Sequence, residues 1–270
     1  MLILPANKTT KQPNDKMKKL LFPLSLAVFF CACEDWKTTE TTQAEPSWGK
    51  ASLCIEKPVA EGAEECYHIE FNLDTLDGES ELAKNLSQVL RDSVIYTGDF
   101  ATVQEAMQAY ADSTEAEWKV ELAERYADEP EYRDILQYYY NVEGTPVENG
   151  NDSILSYQTN ISCYLGGAHG SYVVSYFNFD KKTGKLLSIR DFVPVEKEKP
   201  VLEAMEQQLC KDWEAKDLAD LQEKTGITML GDLYLTNNFL VKNDSLLFLF
   251  NQYEIAPYAA GLISVTVEKP

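Results

Sequence analysis

Apolar residues alternate with polar ones through Tyr67, Ile69, Phe71 and Leu73, leaving Cys66, His68 and Glu70 on the opposite side. That period of two is the mark of a strand with one face on a core. With the stretch from Ala51 it predicts a β-hairpin over 51–73 that turns near Glu61-Gly62. The period then becomes helical at Leu82, Leu86, Val89 and Leu90. Thr102-Val103-Gln104-Glu105 and Thr114-Glu115-Ala116-Glu117 both match the capping box, in which hydroxyl and carboxylate satisfy each other's free N–H groups. They predict two further helices, one continued by Val103, Met107 and Tyr110, the next by Trp118, Leu122 and Tyr126. Strand chemistry returns at Gln137 to Val142, Ile154 to Leu165 and Tyr172 to Phe179, with tight turns at Glu148-Asn149-Gly150-Asn151 and Lys181-Lys182-Thr183-Gly184. A long helix begins near Pro200 and turns Leu202, Met205, Leu209 and Trp213 inward. Leu246 to Phe250 is continuously apolar, hence a central strand, and Ile263, Val265 and Val267 alternate in a last one. Helices and strands are grouped rather than alternating, which predicts an α+β fold with a largely antiparallel sheet and packed helices. Two sub-modules are expected, 50–145 and 146–270.

The start of the chain follows a different pattern. Met17-Lys18-Lys19 opens a basic segment, and Leu20 to Phe30 is an almost unbroken apolar run. That run is too short to span ~30 Å of hydrocarbon, which takes about 20 helical residues. A basic start, a short apolar run and small residues at its end read as a signal peptide, here 1–33, with Met17 as an alternative start. Cys31-Ala32-Cys33-Glu34-Asp35 resembles the lipobox of bacterial lipoproteins, so Cys33 is the expected lipidation site and Cys31 the minor alternative. Glu34-Asp35 loosely resembles a surface-export tag. Residues 34–49, rich in Thr, Gln, Glu and Pro, are expected to be a flexible linker off the anchor. The expected location is the cell envelope, lipid-anchored, in the periplasm or on the outer-membrane surface.

Charge sharpens the picture of partners. The sequence holds 24 basic and 44 acidic residues, a net charge of −20, and cleavage before Cys33 removes five lysines and Asp15, leaving −24. Such a surface repels nucleic acid and attracts basic partners in a salt-dependent way. Four cysteines remain beyond the leader, and an oxidising compartment suggests two disulfides. Cys54 and Cys66 fall on the solvent side of the predicted hairpin, Cys163 on an inward set, and Cys210 beside an apolar helix stripe, so the expected pairs are Cys54–Cys66 and Cys163–Cys210.

Candidate chemistry is sparse. The only histidines are His68, near Glu70, and His169, in Gly166-Gly167-Ala168-His169-Gly170. A catalytic triad needs a nucleophile, a base and an orienting acid, and this loop lacks a central Ser. Zinc takes three or four N, S or O ligands, for which no His-rich spacing exists. No phosphate-binding or dinucleotide glycine motif occurs, and acidic pairs such as Glu64-Glu65 say little in so acidic a chain. No catalytic residue, metal or cofactor is expected.

Tyr164-Leu165-Gly166-Gly167-Ala168-His169-Gly170, then Asn178-Phe179-Asp180 with Thr183-Gly184-Lys185 and Asp191-Phe192, then Asn251-Gln252-Tyr253-Glu254-Ile255-Ala256-Pro257-Tyr258-Ala259-Ala260-Gly261 stand in order along the chain. Together they resemble the extracytoplasmic domain shared by RsiV-type anti-sigma factors and a PdaC-type peptidoglycan deacetylase. The resemblance covers about Ile154 to Val267, with 51–142 similar to the module that usually precedes it. It implies a two-part α+β domain that is non-catalytic in itself and, in the anti-sigma members, binds lysozyme. The expectation departs from both relatives in lacking a sigma-binding segment ahead of a spanning helix and a deacetylase domain with its metal-binding Asp and His. What carries over is a binding surface, with His169, Tyr253, Glu254 and Tyr258 as its residues and a basic envelope-active protein such as lysozyme, or a cell-wall glycan, as ligand. The competing expectation is a cell-wall hydrolase with an unrecognised carboxylate site. Finally, Asp74-Thr75-Leu76, Asp92-Ser93-Val94, Asp152-Ser153-Ile154 and Asp244-Ser245-Leu246 resemble the Asp-(Ser/Thr)-aliphatic acceptor of a periplasmic O-glycosylation system, although Asp-Ser also serves as turn and cap chemistry.

Overall fold

In a computed structural model of the chain, which describes residues 47–58, 66–95, 98–128 and 137–270, with side chains 122–128 left aside, the hairpin pattern of the N-terminal segment is realised. Strand β1 (Ser47–Pro58) pairs antiparallel with β2 (Cys66–Asp77), and the residues that alternate inward, Tyr67, Ile69, Phe71 and Leu73, are fully buried. Helix α1 (Glu81–Val89) starts on Ser80, whose hydroxyl accepts from the Ala83 N–H at 3.1 Å, and runs into a π-helical turn over Leu90–Ile95. Helix α2 (Val103–Asp128) opens on the predicted capping box: Glu105 N–H donates to Thr102 Oγ1, and Thr102 N–H to Glu105 Oε2. The second predicted box opens no helix. Thr114 lies inside α2, where its hydroxyl bonds the Tyr110 carbonyl one turn back (2.9 Å) and meets the buried Tyr67 hydroxyl (2.7 Å). The hydroxyl has found partners in the turn below, and the helix runs through.

Strands β3 (Tyr138–Val147), β4 (Ile154–Tyr164), β5 (Ser171–Asp180) and β6 (Leu186–Leu187) complete a six-stranded sheet in the order β1-β2-β3-β4-β5-β6. Every neighbouring pair is antiparallel except β2 with β3, which are parallel because α1 and α2 form the crossover between them. The sheet is therefore mixed. The boundary expected between 145 and 146 falls inside β3, and the linker expected to end at 49 gives way to β1 at Ser47. The helices α1 and α2 cover one face of this sheet and enclose the first hydrophobic cluster.

A second, three-stranded antiparallel sheet follows, from β7 (Phe239–Lys242), β8 (Ser245–Phe250) and β9 (Ile263–Glu268), with β8 in the middle as its unbroken apolar run predicts. It packs with α3 (Glu198–Asp212) and α4 (Leu218–Thr225) around a second cluster that includes Val201, Met205, Leu209, Phe248 and Phe250. Trp213, expected inward, is instead 49% exposed, because α3 ends at Asp212 and the chain turns outward, leaving the indole on the rim of a shallow hollow of about 320 Å³ beside Leu262–Ser264. Among the described residues no helix is long and apolar enough to cross a membrane.

The two sheets meet through amides. Asn178, 1% exposed, donates from Nδ2 to the Phe239 carbonyl (2.7 Å), while its Oδ1 accepts from Ser156 Oγ (2.7 Å) and, more distantly, from Val241 N–H (3.4 Å). Asn149 Nδ2 in turn donates to Ser156 Oγ and to the Ile154 carbonyl. Buried polar groups of this kind keep their partners because losing one leaves the other desolvated.

Candidate functional site

The edge of β5 beyond its short pairing with β6 is closed by side chains rather than by a strand. Val174 N–H donates to Asn251 Oδ1 (2.8 Å) and Tyr176 N–H to Asn238 Oδ1 (2.9 Å), while the Val174 carbonyl accepts from both amide nitrogens. The Asn251 pair clips the loop 251–261 to the sheet, and the Asn238 pair fixes the start of β7 beside it. The first brings loop 251–261 against the loop 166–170, which connects β4 to β5.

Three of the four residues singled out from the sequence meet there. The His169 ring stacks on Tyr258 with centroids 4.0 Å apart, and Tyr253 lies 5.8 Å from Tyr258. The Gly170 carbonyl accepts from the Tyr258 hydroxyl (2.8 Å) and lies 2.9 Å from His169 Nδ1. A carbonyl only accepts, so the neutral imidazole carries its proton on Nδ1 and presents Nε2 as an acceptor, with the Tyr253 hydroxyl 3.5 Å away. Gly170 itself has no room for a side chain, since a Cβ would stand 2.8 Å from the Cys163 carbonyl and 2.9 Å from the Tyr139 hydroxyl.

Tyr253 and Tyr258 play different parts. Tyr258 is half-buried and holds the two loops together, whereas Tyr253 is 55% exposed and adopts a left-handed backbone, φ +68°. A bulky residue in that region costs of order 1 kcal/mol, and such outliers gather where a side chain must be presented. Glu254, the fourth residue, accepts from Asn251 N–H at 3.1 Å and so shapes the turn. It also faces the Tyr234 hydroxyl, whose acidity is lowered first by burial and then by this carboxylate. In the segment that meets this loop, Met229, Leu230 and Tyr234 are exposed, and Leu230 N–H reaches the Ile255 carbonyl. These residues follow no hydrophobic period, and only the backbone contact between the two segments brings them beside the loop.

The cysteines require a correction. All four are free thiols. Cys54 sits opposite Glu70 and Cys66 opposite Pro58, four residues further along the ladder, or about 13 Å at the usual rise, far beyond disulfide reach. Face parity was right for both, but register separates them. Cys163 packs on the first cluster, 3.4 Å from Ser171 Oγ, and Cys210 on the second. Burial keeps the Cys66 and Cys210 thiols protonated, reinforced by Glu56 and by Glu206, respectively. Among the described residues no group of three or more His, Cys, Asp or Glu is placed to hold a metal ion. His68 is flanked by Glu56 (3.7 Å) and Glu70 (3.6 Å), one on each ring nitrogen. Of the four glycosylation-like triplets only Ser153 is exposed, in the turn before β4; Thr75, Ser93 and Ser245 are half-buried. Cys33, the leader, residues 34–46, the Glu61-Gly62 turn and Glu64-Glu65 lie outside the described residues, as do the side chains of Leu122 and Tyr126.

Residues 191–269 match the family model described as a protein of unknown function, DUF3298, a span that runs from Asp191 through the 251–261 loop to the end of β9. Among curated proteins none matches this sequence. The fold is shared with two solved structures. One, a member of the DUF3298 family from Bacteroides fragilis NCTC 9343, superposes with a TM-score of 0.70 at 20% identity, covering 84% of this chain and 91% of that one. The other, a DUF3298 family protein from Pseudomonas aeruginosa PAO1, gives 0.57 at 17% identity, covering 84% and 92%.

Proposed function

We propose that this chain is a non-catalytic binding module of the bacterial envelope, and that the paired loops 166–170 and 251–261 form its recognition surface. The observation that carries this reading is the convergence of His169, Tyr253 and Tyr258, from segments over 80 residues apart, into one exposed aromatic cluster whose outermost ring sits on a left-handed backbone. Aromatic anchors on rigid supports supply much of the energy at interfaces. The same loops carry the resemblance to RsiV-type anti-sigma factors and the PdaC-type deacetylase, which points to a basic protein ligand, lysozyme first among them. A net charge of −20, or −24 after cleavage, favours encounter with such a partner.

Charge alone gives loose association that salt removes, so the test separates it from a shaped site. Calorimetry with lysozyme at physiological and at ~0.5 M salt should show binding that persists, and Tyr253→Ala should weaken it about tenfold or more. Tyr253 is the better probe than Tyr258, since its loss removes no hydrogen bond to a backbone carbonyl. Equal binding to any basic protein of similar charge, or complete loss at the higher salt, would leave only non-specific electrostatics.

Envelope location belongs to the same proposal. A fatty-acid probe fed to cells is expected to label the wild-type chain and not Cys33→Ser, and the variant should appear in the soluble fraction. Undiminished labelling of Cys33→Ser would sink the anchor assignment.

A further inference from the structure

We infer that the stretch of the six-stranded sheet's helix-free face left uncovered by the second sheet, which adjoins the 166–170 loop at its Tyr139–Tyr164 end, binds a neutral oligosaccharide. Strand register places Glu70, Tyr139, Asn141, Asn160, Ser162 and Tyr164 on one face: Glu70 opposite Asn141, Asn141 opposite Ser162, and Tyr139 opposite Tyr164. It is the face turned away from α1 and α2, and none of the six belongs to either hydrophobic cluster.

The centre of this face is chemically unfinished. Asn141 Oδ1 is buried and has no hydrogen-bond partner. A buried acceptor left alone costs roughly 1–3 kcal/mol, and such exceptions call for a reason. A hydroxyl or amide N–H from a ligand lying across β3 would satisfy it. Around it the groups are held ready: Gln158 Nε2 donates to Asn160 Oδ1 (2.8 Å) and Asn72 Nδ2 to Glu70 Oε1 (2.8 Å), which fixes their orientation while leaving lone pairs and N–H groups free. At one end of the row the Tyr139 and Tyr164 rings stack at 6.2 Å and 25°. Tyr164 is pinned there by its hydroxyl bond to the Gly167 carbonyl.

Charge narrows the ligand. Lys50 is the only lysine or arginine that β1 to β5 place on this face, and it faces Asp74. An anionic polymer would meet carboxylates without cations to answer it. What fits is a neutral molecule with many hydroxyls and flat C–H surfaces. The C–H side of a pyranose lies against the negative face of an aromatic ring, and side-chain amides pair with adjacent hydroxyls as donor and acceptor at once.

Saturation-transfer NMR and calorimetry on the purified full chain, with the fully N-acetylated chitotetraose and cellotetraose as neutral probes, test this. At least one sugar should bind with a Kd of about 0.1–1 mM. Tyr139→Ala and Ser162→Trp should each weaken it about tenfold or more, the second by filling an open face rather than removing a contact, with thermal melts confirming the fold. Tyr253→Ala should bind sugar like the wild type, so loss of lysozyme binding and loss of sugar binding are told apart. No transfer from either sugar at millimolar concentration, or unaltered affinity in both face variants, overturns the inference. Salt-sensitive binding of an oligolysine that Ser162→Trp blocks, in place of sugar, overturns it in favour of a cationic peptide.

Discussion

Replacing Asn178 with Leu should lower the stability by about 3–5 kcal/mol and the midpoint of thermal unfolding by roughly 10 °C. Leucine copies the branched shape of asparagine, so packing is nearly conserved and the loss isolates the hydrogen bonds. The Phe239 carbonyl loses its 2.7 Å donor, the Ser156 hydroxyl its 2.7 Å acceptor, and the Val241 N–H a weaker one. Asn178 and Ser156 are almost wholly buried, so water cannot replace the lost partners without opening the junction between the sheets. Each stranded group costs on the order of 1–3 kcal/mol. The effect should also spread to the candidate site, because β5 carries both Asn178 and the edge on which Asn251 holds the 251–261 loop. Chemical denaturation of the purified variant measures it. A loss below ~1 kcal/mol would mean that water reaches these groups and that the amide network is not what joins the sheets.

The fold was legible where a period was long or a cap was specific. The hairpin strand Cys66–Asp77, the central strand Ser245–Phe250 and the closing strand Ile263–Glu268 follow their hydrophobic patterns. The box at Thr102 marks a real helix start. The box at Thr114 misled because the same four residues fit inside a helix when the hydroxyl bonds back to Tyr110; nothing local distinguishes the two. The parallel pairing of β2 with β3 was not visible either, since it depends on the crossover through α1 and α2 rather than on either strand's own sequence. Face parity placed each cysteine correctly but said nothing of position along the ladder, and disulfide reach is a matter of position. The site was half legible. The loops with His169, Tyr253 and Tyr258 stood out as sequence motifs, whereas their convergence rests on Asn251 acting as a substitute for strand backbone, a role no short-range pattern announces.

Gly184→Ala should cost about 3 kcal/mol, nearly as much as losing Asn178, and for a different physical reason. The turn after β5 is tied tightly: Gly184 N–H bonds the Asp180 carbonyl (2.8 Å), and the Asp180 carboxylate accepts from both the N–H and the hydroxyl of Thr183. Those two bonds hold the Asp180 carboxyl below the usual carboxylate range. Gly184 takes φ +72° there, where an L side chain is strained by roughly 1 kcal/mol. Space is the larger problem. A Cβ would stand 2.5 Å from both the Glu81 carbonyl carbon and the Leu82 nitrogen, the backbone of the first turn of α1. Backbone cannot swing aside as a flexible side chain does, so α1 must shift, and overpacking of this kind costs about 1–3 kcal/mol. The shift would also strain the bond from Asn85 Nδ2 to the Gly184 carbonyl (2.9 Å), which docks α1 onto this turn. Gly78→Ala is the control: it too has a positive φ, but a Cβ there meets nothing within 4 Å, so it should cost only about 1 kcal/mol. Equal losses for the two variants in denaturant titrations would show that backbone strain alone is at work and that α1 does not rest on Gly184.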